Sequence, residues 1–281
     1  MTIKRGSKVA IHWNKSFQKG MAYVMLSRTE RLEDIQIIES KSKFTTECIK
    51  ANEDALAESY RIHDDFEALK QERMLFLMKH TTIAYLNVRR LIPHLVDVKT
   101  DPILMESDII ALGETWLKPA ETVKISGFDE IEVKTDEGGK GLSTYVKSRN
   151  QIQFTSQKFL NKRFSAVLIQ TYSMDVLFLY LSKNFDWKDL EKILIRFIRG
   201  GKDLAIMGDM NIDFLSENHN LTKFLQEKGF VQMIQQPTYE SGSLLDHVYV
   251  NESLLSKNPS CTQLPVYYSD HDIVFMYVPK E

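Results

Sequence analysis

Beyond about residue 80, the sequence contains a series of short apolar runs that each give way to an oxygen-bearing polar side chain. One run, residues 204–207, is followed by Gly208 and then by Asp209 and Asn211. A short apolar run closed by glycine predicts a buried strand. An ionised aspartate beside it is costly unless a metal ion, a cation or hydrogen bonds compensate the charge. An Asx turn, in which these side chains bond only to backbone N–H groups, is the better explanation of this stretch taken alone.

The same pattern recurs along the chain. Four further sites carry it: Asn87, Glu114, Asp246 and the neighbours Asp270 and His271. Each has an ordinary structural explanation when it is considered singly, namely a helix cap, an ion pair with lysine, or a surface pair of aspartate and histidine. Together they offer one carboxylate that can orient an imidazole. They also offer a second carboxylate, which lies at another strand end. That combination meets the requirements of water activation near neutral pH.

Composition limits the classes of protein that the chain can belong to. Its 281 residues are 43% apolar and 26% charged, which is ordinary for a globular protein with a real core. The net charge of -2 provides no global basic field, so a nucleic-acid partner requires a local patch or a bound cation. The two cysteines, Cys48 and Cys261, indicate a reduced intracellular compartment, no zinc site and no disulfide-linked partner. Without an apolar run near 18 residues, neither a membrane span nor a secretory signal is expected.

Helical patterns alternate with the apolar runs. Residues 53–80 lack glycine and proline and are rich in helix formers, which predicts a long helix. Asp186 can cap a second helix on which Trp187, Leu190 and Leu194 recur at helical spacing. A third helix is predicted over residues 221–228. Helices that lead into buried strands predict a layered α/β sandwich.

Residues 1–60 resemble the end of superfamily-one DNA helicases of the helitron type. The resemblance lies in a glycine-led Tyr-Val and Leu-Ser-Arg stretch, residues 20–28, and in Ile-Lys-Ala-Asn, residues 49–52. It implies that Arg28 lies against ATP phosphates, whereas the ordinary interpretation of a lone arginine is a solvated surface charge. The sequence contains no Gly-x-x-x-x-Gly-Lys-Ser/Thr phosphate loop, so no independent ATPase or helicase activity is expected. We predict a helicase remnant over residues 1–60 and a helical linker over residues 61–80.

Residues 81–281 resemble the endonuclease/exonuclease/phosphatase family, and most closely its retroelement-type endonucleases. The resemblance is carried by a series of motifs: Leu-Asn-Val-Arg, Glu-Thr-Trp-Leu, Gly-Asp-Met-Asn-Ile-Asp, Leu-Leu-Asp-His-Val and Ser-Asp-His-Asp. It implies a four-layer α/β sandwich in which two packed mixed sheets are flanked by helices. The series of motifs, rather than any one of them, makes a purely structural explanation of these side chains improbable.

The resemblance also implies roles for individual side chains. Asn87 and Glu114, helped by Asp270, should hold Mg²⁺, with Mn²⁺ as an alternative, because hard cations prefer oxygen ligands. The other implied residues are Asp209 and Asn211 at the attacking water and phosphate, Asp246 orienting His271, and Tyr180 at the phosphate. The sequence leaves open whether Asp209 or His271 is the general base. Two features depart from the family pattern: Arg89 replaces an acidic or amide residue, and no proline follows Tyr180.

These inferences predict a Mg²⁺-dependent phosphodiesterase. We expect a DNA endonuclease of the nucleus that nicks DNA in a helitron-like transposable element and works with an upstream helicase portion. A phosphatase or phospholipid phosphodiesterase on the same fold is the first alternative, because it would use the same metal site. An inactive remnant that acts at most as a binding module is the second.

Overall fold

The computed structural model describes residues 9–13, 35–39, 53–133, 141–148, 153–161, 163–198, 202–216 and 219–280. The chain divides into two compact units, Met1–Met74 and Leu75–Glu281. In the first unit, β1 (Val9–Trp13) pairs in parallel with β2 (Ile35–Glu39). The long helix α1 (Glu53–Lys79) is confirmed. Arg28 and Cys48 lie outside the described residues.

The second unit contains two six-stranded sheets. The first sheet consists of β3 (His80–Asn87), β4 (Ile109–Gly113), β5 (Phe128–Val133), β6 (Leu142–Lys147), β13 (Ser260–Leu264) and β14 (Ile273–Pro279). Its strand order is β13-β14-β3-β4-β6-β5. β3 and β4 run parallel and the other neighbours run antiparallel, so the sheet is mixed.

The second sheet is also mixed. It consists of β7 (Phe154–Asn161), β8 (Phe164–Thr171), β9 (Asp175–Leu181), β10 (Leu204–Asp209), β11 (Phe230–Gln232) and β12 (Asp246–Asn251). Its strand order is β11-β12-β10-β9-β8-β7. β9 and β10 are parallel, whereas β12 runs antiparallel to β10.

Helices cover the outer faces of the two sheets. They are α2 (Leu95–Thr100), α3 (Pro102–Glu106), α4 (Trp187–Ile198) and α5 (Asn220–Glu227). The short α6 (Glu252–Leu255) instead contributes Leu254 to the core between the sheets. α2 and α3 contribute Val98 and Leu104 to one outer core, and α4 contributes Leu190 and Leu194 to the other. A third core, which includes Phe178, fills the space between the sheets. The four-layer α/β sandwich is therefore confirmed.

Strand direction brings the polar termini together. β3 ends at Asn87 and β10 ends at Asp209. β4 ends at Gly113, the residue before Glu114. The expectation that Asp246 and the Asp270–His271 pair also end strands is wrong, because Asp246 begins β12 and His271 precedes β14. Since β12 and β14 run antiparallel to β10 and β3, their beginnings lie beside the ends of those strands.

None of the helices in the described part of the chain has the length and apolar character that a membrane span requires.

Candidate active site

The two sheets are joined at this edge by a hydrogen bond between two predicted site residues. Asn87 is the last residue of β3 and Asp209 is the last residue of β10. Each is only 1% exposed, and the Asn87 Nδ2 donates to the Asp209 Oδ2 at 2.7 Å. Because a buried carboxylate requires compensation, this bond helps to explain why Asp209 is tolerated there.

The backbone at Asp209 depends on the glycine before it. Gly208 has a φ of +150°, and a Cβ at this position would lie 1.8 Å from the carbonyl oxygen of Leu179 on the neighbouring strand. The turn that follows is an Asx turn, since the Asn211 backbone N–H donates to the Asp209 Oδ1 at 2.9 Å. The Asn211 side-chain amide donates to the Leu181 carbonyl oxygen at 2.7 Å. Asn211 is therefore held beside Asp209 and half-buried.

Glu114 and Tyr180 form a second contact across the sheets. The Tyr180 hydroxyl donates to the Glu114 Oε1 at 2.6 Å, and Tyr180 lies opposite Asp209 in the β9–β10 register. Burial, together with the hydrogen bond that Tyr180 donates to the Glu114 carboxylate, raises the pKa of Tyr180 well above its ordinary value. Tyr180 is thus a neutral hydrogen-bond donor whose hydroxyl fixes Glu114.

Asp246 and His271 form a buried pair. The His271 Nδ1 and the Asp246 Oδ2 are 2.8 Å apart, and the Thr238 hydroxyl donates to the same Asp246 oxygen at 2.8 Å. The ring of Tyr239 packs against the imidazole, with centroids 4.8 Å apart. Burial lowers the pKa of His271, but the nearby carboxylate of Asp246 outweighs it and the pKa rises to about 9. Nε2 is the ring nitrogen that Asp246 leaves available.

Negative charge is concentrated within this edge of the sandwich. Ligand atoms of Asp209, Asp246 and His271 all lie within 4.8 Å of one another, as a buried group that could hold a metal ion. Burial and the charge of Asp246 raise the pKa of Asp209 to about 7, although His271 and the hydrogen bonds from Asn211 and Asn87 oppose the shift. An additional positive charge at this site would favour the ionised carboxylates.

The three residues predicted to hold Mg²⁺ are hydrogen-bonded to other residues, and two of them share Arg89 as a partner. Asp270 accepts a hydrogen bond from the Arg89 guanidinium on its Oδ2, whereas its Oδ1 is buried and has no partner in the described part of the chain. The Asn87 Oδ1 accepts the backbone N–H of Arg89 at 3.1 Å. Glu114 contacts Tyr180. Among the histidine, cysteine, aspartate and glutamate side chains of the described residues, Asp209, Asp246 and His271 form a compact group of ligand atoms, and an asparagine such as Asn87 is not one of these residue types.

Several supporting residues were not predicted. Thr238 is 1% exposed, and its hydroxyl also accepts the backbone N–H groups of Leu245 and Asp246. The Ser269 hydroxyl donates to the Asn87 carbonyl oxygen at 2.6 Å. Both lie in loops, where the sequence carries no periodic signal that distinguishes a supporting hydroxyl from a solvated one. The Ser-Asp-His motif placed Ser269 near the site but gave it no role.

Comparison with known proteins places this architecture in a family. Residues 81–271 match the model described as the endonuclease/exonuclease/phosphatase family. The endonuclease domain of TRAS1, a telomere-specific non-LTR retrotransposon, superposes with a TM-score of 0.55 at 15% identity, covering 71% of this chain and 98% of that one. The AP endonuclease of Leishmania major gives 0.55 at 13% identity, with 73% and 89% covered. The 3′ phosphatase NExo from Neisseria, bound to product DNA hairpin, gives 0.52 at 16% identity, with 71% and 100% covered.

The fold and the family are those of hydrolases that act on phosphate esters. The chain belongs to the endonuclease/exonuclease/phosphatase family, since the family model spans more than half of its length. At these identities the structural neighbours establish the shared fold, which agrees with the two packed mixed sheets flanked by helices. No curated protein sequence matches the chain.

Proposed function

We propose that the chain is a divalent-cation-dependent DNA endonuclease. The observation that carries this proposal is the meeting of Asn87, Asp209 and the Asp246–His271 pair at one edge of the sandwich. DNA as the substrate is supported by the neighbours, which are named as endonucleases or as bound to DNA. Nicking within a helitron-like transposable element, and location in the nucleus, belong to the proposal on the sequence resemblance alone.

The donor set fits a hard cation. Asn87, Glu114 and Asp270 supply oxygen atoms, and the buried Asp270 Oδ1 has no partner among the described residues. These are the ligands that Mg²⁺ or Mn²⁺ prefers. When bound, the cation would offset the charge that develops on the phosphodiester.

The remaining residues act on water and phosphate in this proposal. Asp209 and Asn211 contact the attacking water and the scissile phosphate, and Tyr180 keeps Glu114 in place. Asp246 holds the Nδ1 of His271, which directs the other ring nitrogen towards the substrate.

Plasmid nicking tests the proposal. Purified protein should convert supercoiled plasmid to open circles with Mg²⁺ and not with EDTA. His271→Ala and Asp209→Ala should each slow nicking by about 10²- to 10⁴-fold, the usual contribution of proton-transfer groups. His63→Ala, at an exposed histidine of α1, serves as the matched control and should retain the parental rate. Nicking that survives both site substitutions would contradict the assignment.

A phosphatase is the second candidate, because one structural neighbour is named a 3′ phosphatase. Release of inorganic phosphate from a 3′-phosphorylated oligonucleotide, without nicking, would favour it. Inertness towards plasmid, oligonucleotide and phospholipid substrates would favour an inactive binding module. The helicase remnant at residues 1–60 and the phosphate-binding role of Arg28 stay predictions, which a complete helicase would be needed to test.

A further inference from the structure

Arg89 contacts two of the three residues proposed to hold the cation. It lies two residues beyond Asn87, its backbone N–H donates to the Asn87 Oδ1, and its guanidinium donates to the Asp270 Oδ2. Its φ of +50° and the φ of +133° at Arg90 mark a sharp change of chain direction after β3. The backbone of Arg89 is therefore fixed at the site, while the side chain spans to Asp270.

The two members of this ion pair differ in their exposure to water. The Arg89 side chain is 64% exposed, whereas that of Asp270 is 9% exposed. A solvent-exposed guanidinium loses little when an ion pair is broken, because water replaces its partner. A buried carboxylate loses much more and requires another positive charge. Asp270 therefore needs a cation, but that cation need not be Arg89.

We propose that Arg89 and a divalent cation compete for Asp270, and that the displaced guanidinium then binds a phosphate oxygen of the substrate. The planar guanidinium fork suits phosphate as well as carboxylate. Cation binding and substrate binding are then coupled through one side chain, and the coupling acts equally in both directions. The substrate half of this inference rests on the proposed function, whereas the competition for Asp270 does not.

Arg90 is the matched control. It is the adjacent arginine and is exposed as well, but its guanidinium lies over the Trp116 ring, 4.5 Å from the centroid, rather than against a carboxylate. Substitution of either residue removes one positive charge from the same turn. A difference between the two variants therefore reports the contact with Asp270 and not the net charge.

Direct titration with Mn²⁺, followed by electron paramagnetic resonance, tests the competition without any substrate. Arg89→Ala should bind Mn²⁺ about two- to fivefold more tightly than the parent, as expected when an exposed ion pair no longer competes. Arg90→Ala should bind with close to the parental affinity. In an Asp270→Asn background, Arg89→Ala should no longer change the affinity. Equal affinities of the Arg89 and Arg90 variants, or no Mn²⁺ binding by any of them, would overturn the proposal.

Binding of a fluorescein-labelled DNA duplex, measured by anisotropy in Ca²⁺ and in EDTA, tests the substrate half. Arg89→Ala should weaken binding about fivefold or more in Ca²⁺ and hardly at all in EDTA, where Arg89 is paired with Asp270. Arg90→Ala should change the DNA affinity by the same factor in Ca²⁺ and in EDTA. An equal loss for Arg89→Ala in both conditions would refute the coupling. If no variant binds DNA, the proposed function and the substrate half fail together, and the Mn²⁺ titration still decides the competition.

Discussion

At the scale of the residue, Asp209 performs two tasks that the sequence alone presents as alternatives. One carboxylate oxygen closes the Asx turn with Asn211, and the other accepts the amide of Asn87 from the opposite sheet. The turn could be predicted because its partners are two residues apart. The cross-sheet bond could not, because its partners are 122 positions apart and meet only after both sheets have formed.

Gly208 determines whether Asp209 can reach this position. Gly208→Ala is expected to lower the free energy of unfolding by about 3 kcal/mol or more, because a close contact with the Leu179 carbonyl adds to backbone strain. Urea denaturation measures this loss. Gly242→Ala is the control, since Gly242 also has a positive φ, +90°, but no atom lies within 4 Å of the added Cβ. It should cost about 1–2 kcal/mol, and equal losses would contradict the steric argument.

Thr238 is a positioning residue for Asp246. Thr238→Val removes the hydroxyl that donates to the carboxylate and accepts two backbone N–H groups. We expect kcat of the proposed hydrolysis to fall about 10- to 100-fold with little change in KM, as for other residues that orient a catalytic group. Thr238→Ser keeps the hydroxyl and should restore most of the rate. Impairment of the serine variant to the same degree would assign Thr238 a packing role instead.

At the scale of the element, the strands divide by their position in the sheets. Interior strands such as β3, β4 and β10 are apolar runs and could be predicted. The four edge strands of the two sheets, β5, β7, β11 and β13, were not predicted. An edge strand has one neighbour and tolerates polar side chains, as the alternating exposure of β13 shows. Its sequence therefore lacks the continuous apolar run on which the prediction depended.

The cap of α4 offers a test at this scale. The Asp186 Oδ1 accepts the backbone N–H of Lys188 at 2.9 Å, at the start of a helix that buries Leu190 and Leu194. Asp186→Ala should lower the free energy of unfolding by about 1 kcal/mol, the usual value of an N-cap. Asp186→Asn preserves the acceptor and should retain most of the stability. Thermal unfolding of the two variants compares them, and equal losses would argue against capping.

At the scale of the whole molecule, the sandwich was predictable from the alternation of helices and apolar runs, but the ion pair of Arg89 with Asp270 was not. Its partners are 181 positions apart, and each belongs to a loop whose conformation no periodicity determines. Which charged side chains pair with each other therefore follows from the folded structure and not from their positions in the sequence. Buried ionisable groups then make the stability of the unit depend on pH.

His247 predicts the direction in which the stability of this unit changes with pH. Its ring is fully buried and contacts the Ile212 carbonyl and the Tyr249 hydroxyl, and burial lowers the pKa of His247 to about 4. Below the unfolded value of about 6.5 the unfolded chain takes up the proton first, so stability falls as pH decreases from 6.5 towards 4. This single group should cost about 2 kcal/mol between pH 7 and pH 5.

Comparison with His247→Gln isolates that contribution, because Asp209 and His271 titrate in both proteins. Urea unfolding at pH 7 and pH 5 should show the parent losing about 2 kcal/mol more than the variant over this interval. His94→Gln, at a partly exposed histidine, should follow the parent. If the free energies of unfolding of the parent and of His247→Gln change in parallel with pH, His247 is excluded as the source of the pH dependence.

The antiparallel arrangement of β14 beside β3 has a practical consequence. A cut between β6 and β7 leaves Asn87 and Glu114 on one piece and Asp209, Asp246 and His271 on the other, and the first sheet is shared between the pieces. Neither piece carries the whole cluster, so the proposed hydrolysis should return only when the two chains refold around each other. The protein is thus suited to fragment complementation, in which recovered hydrolysis would signal that two fused partners have met.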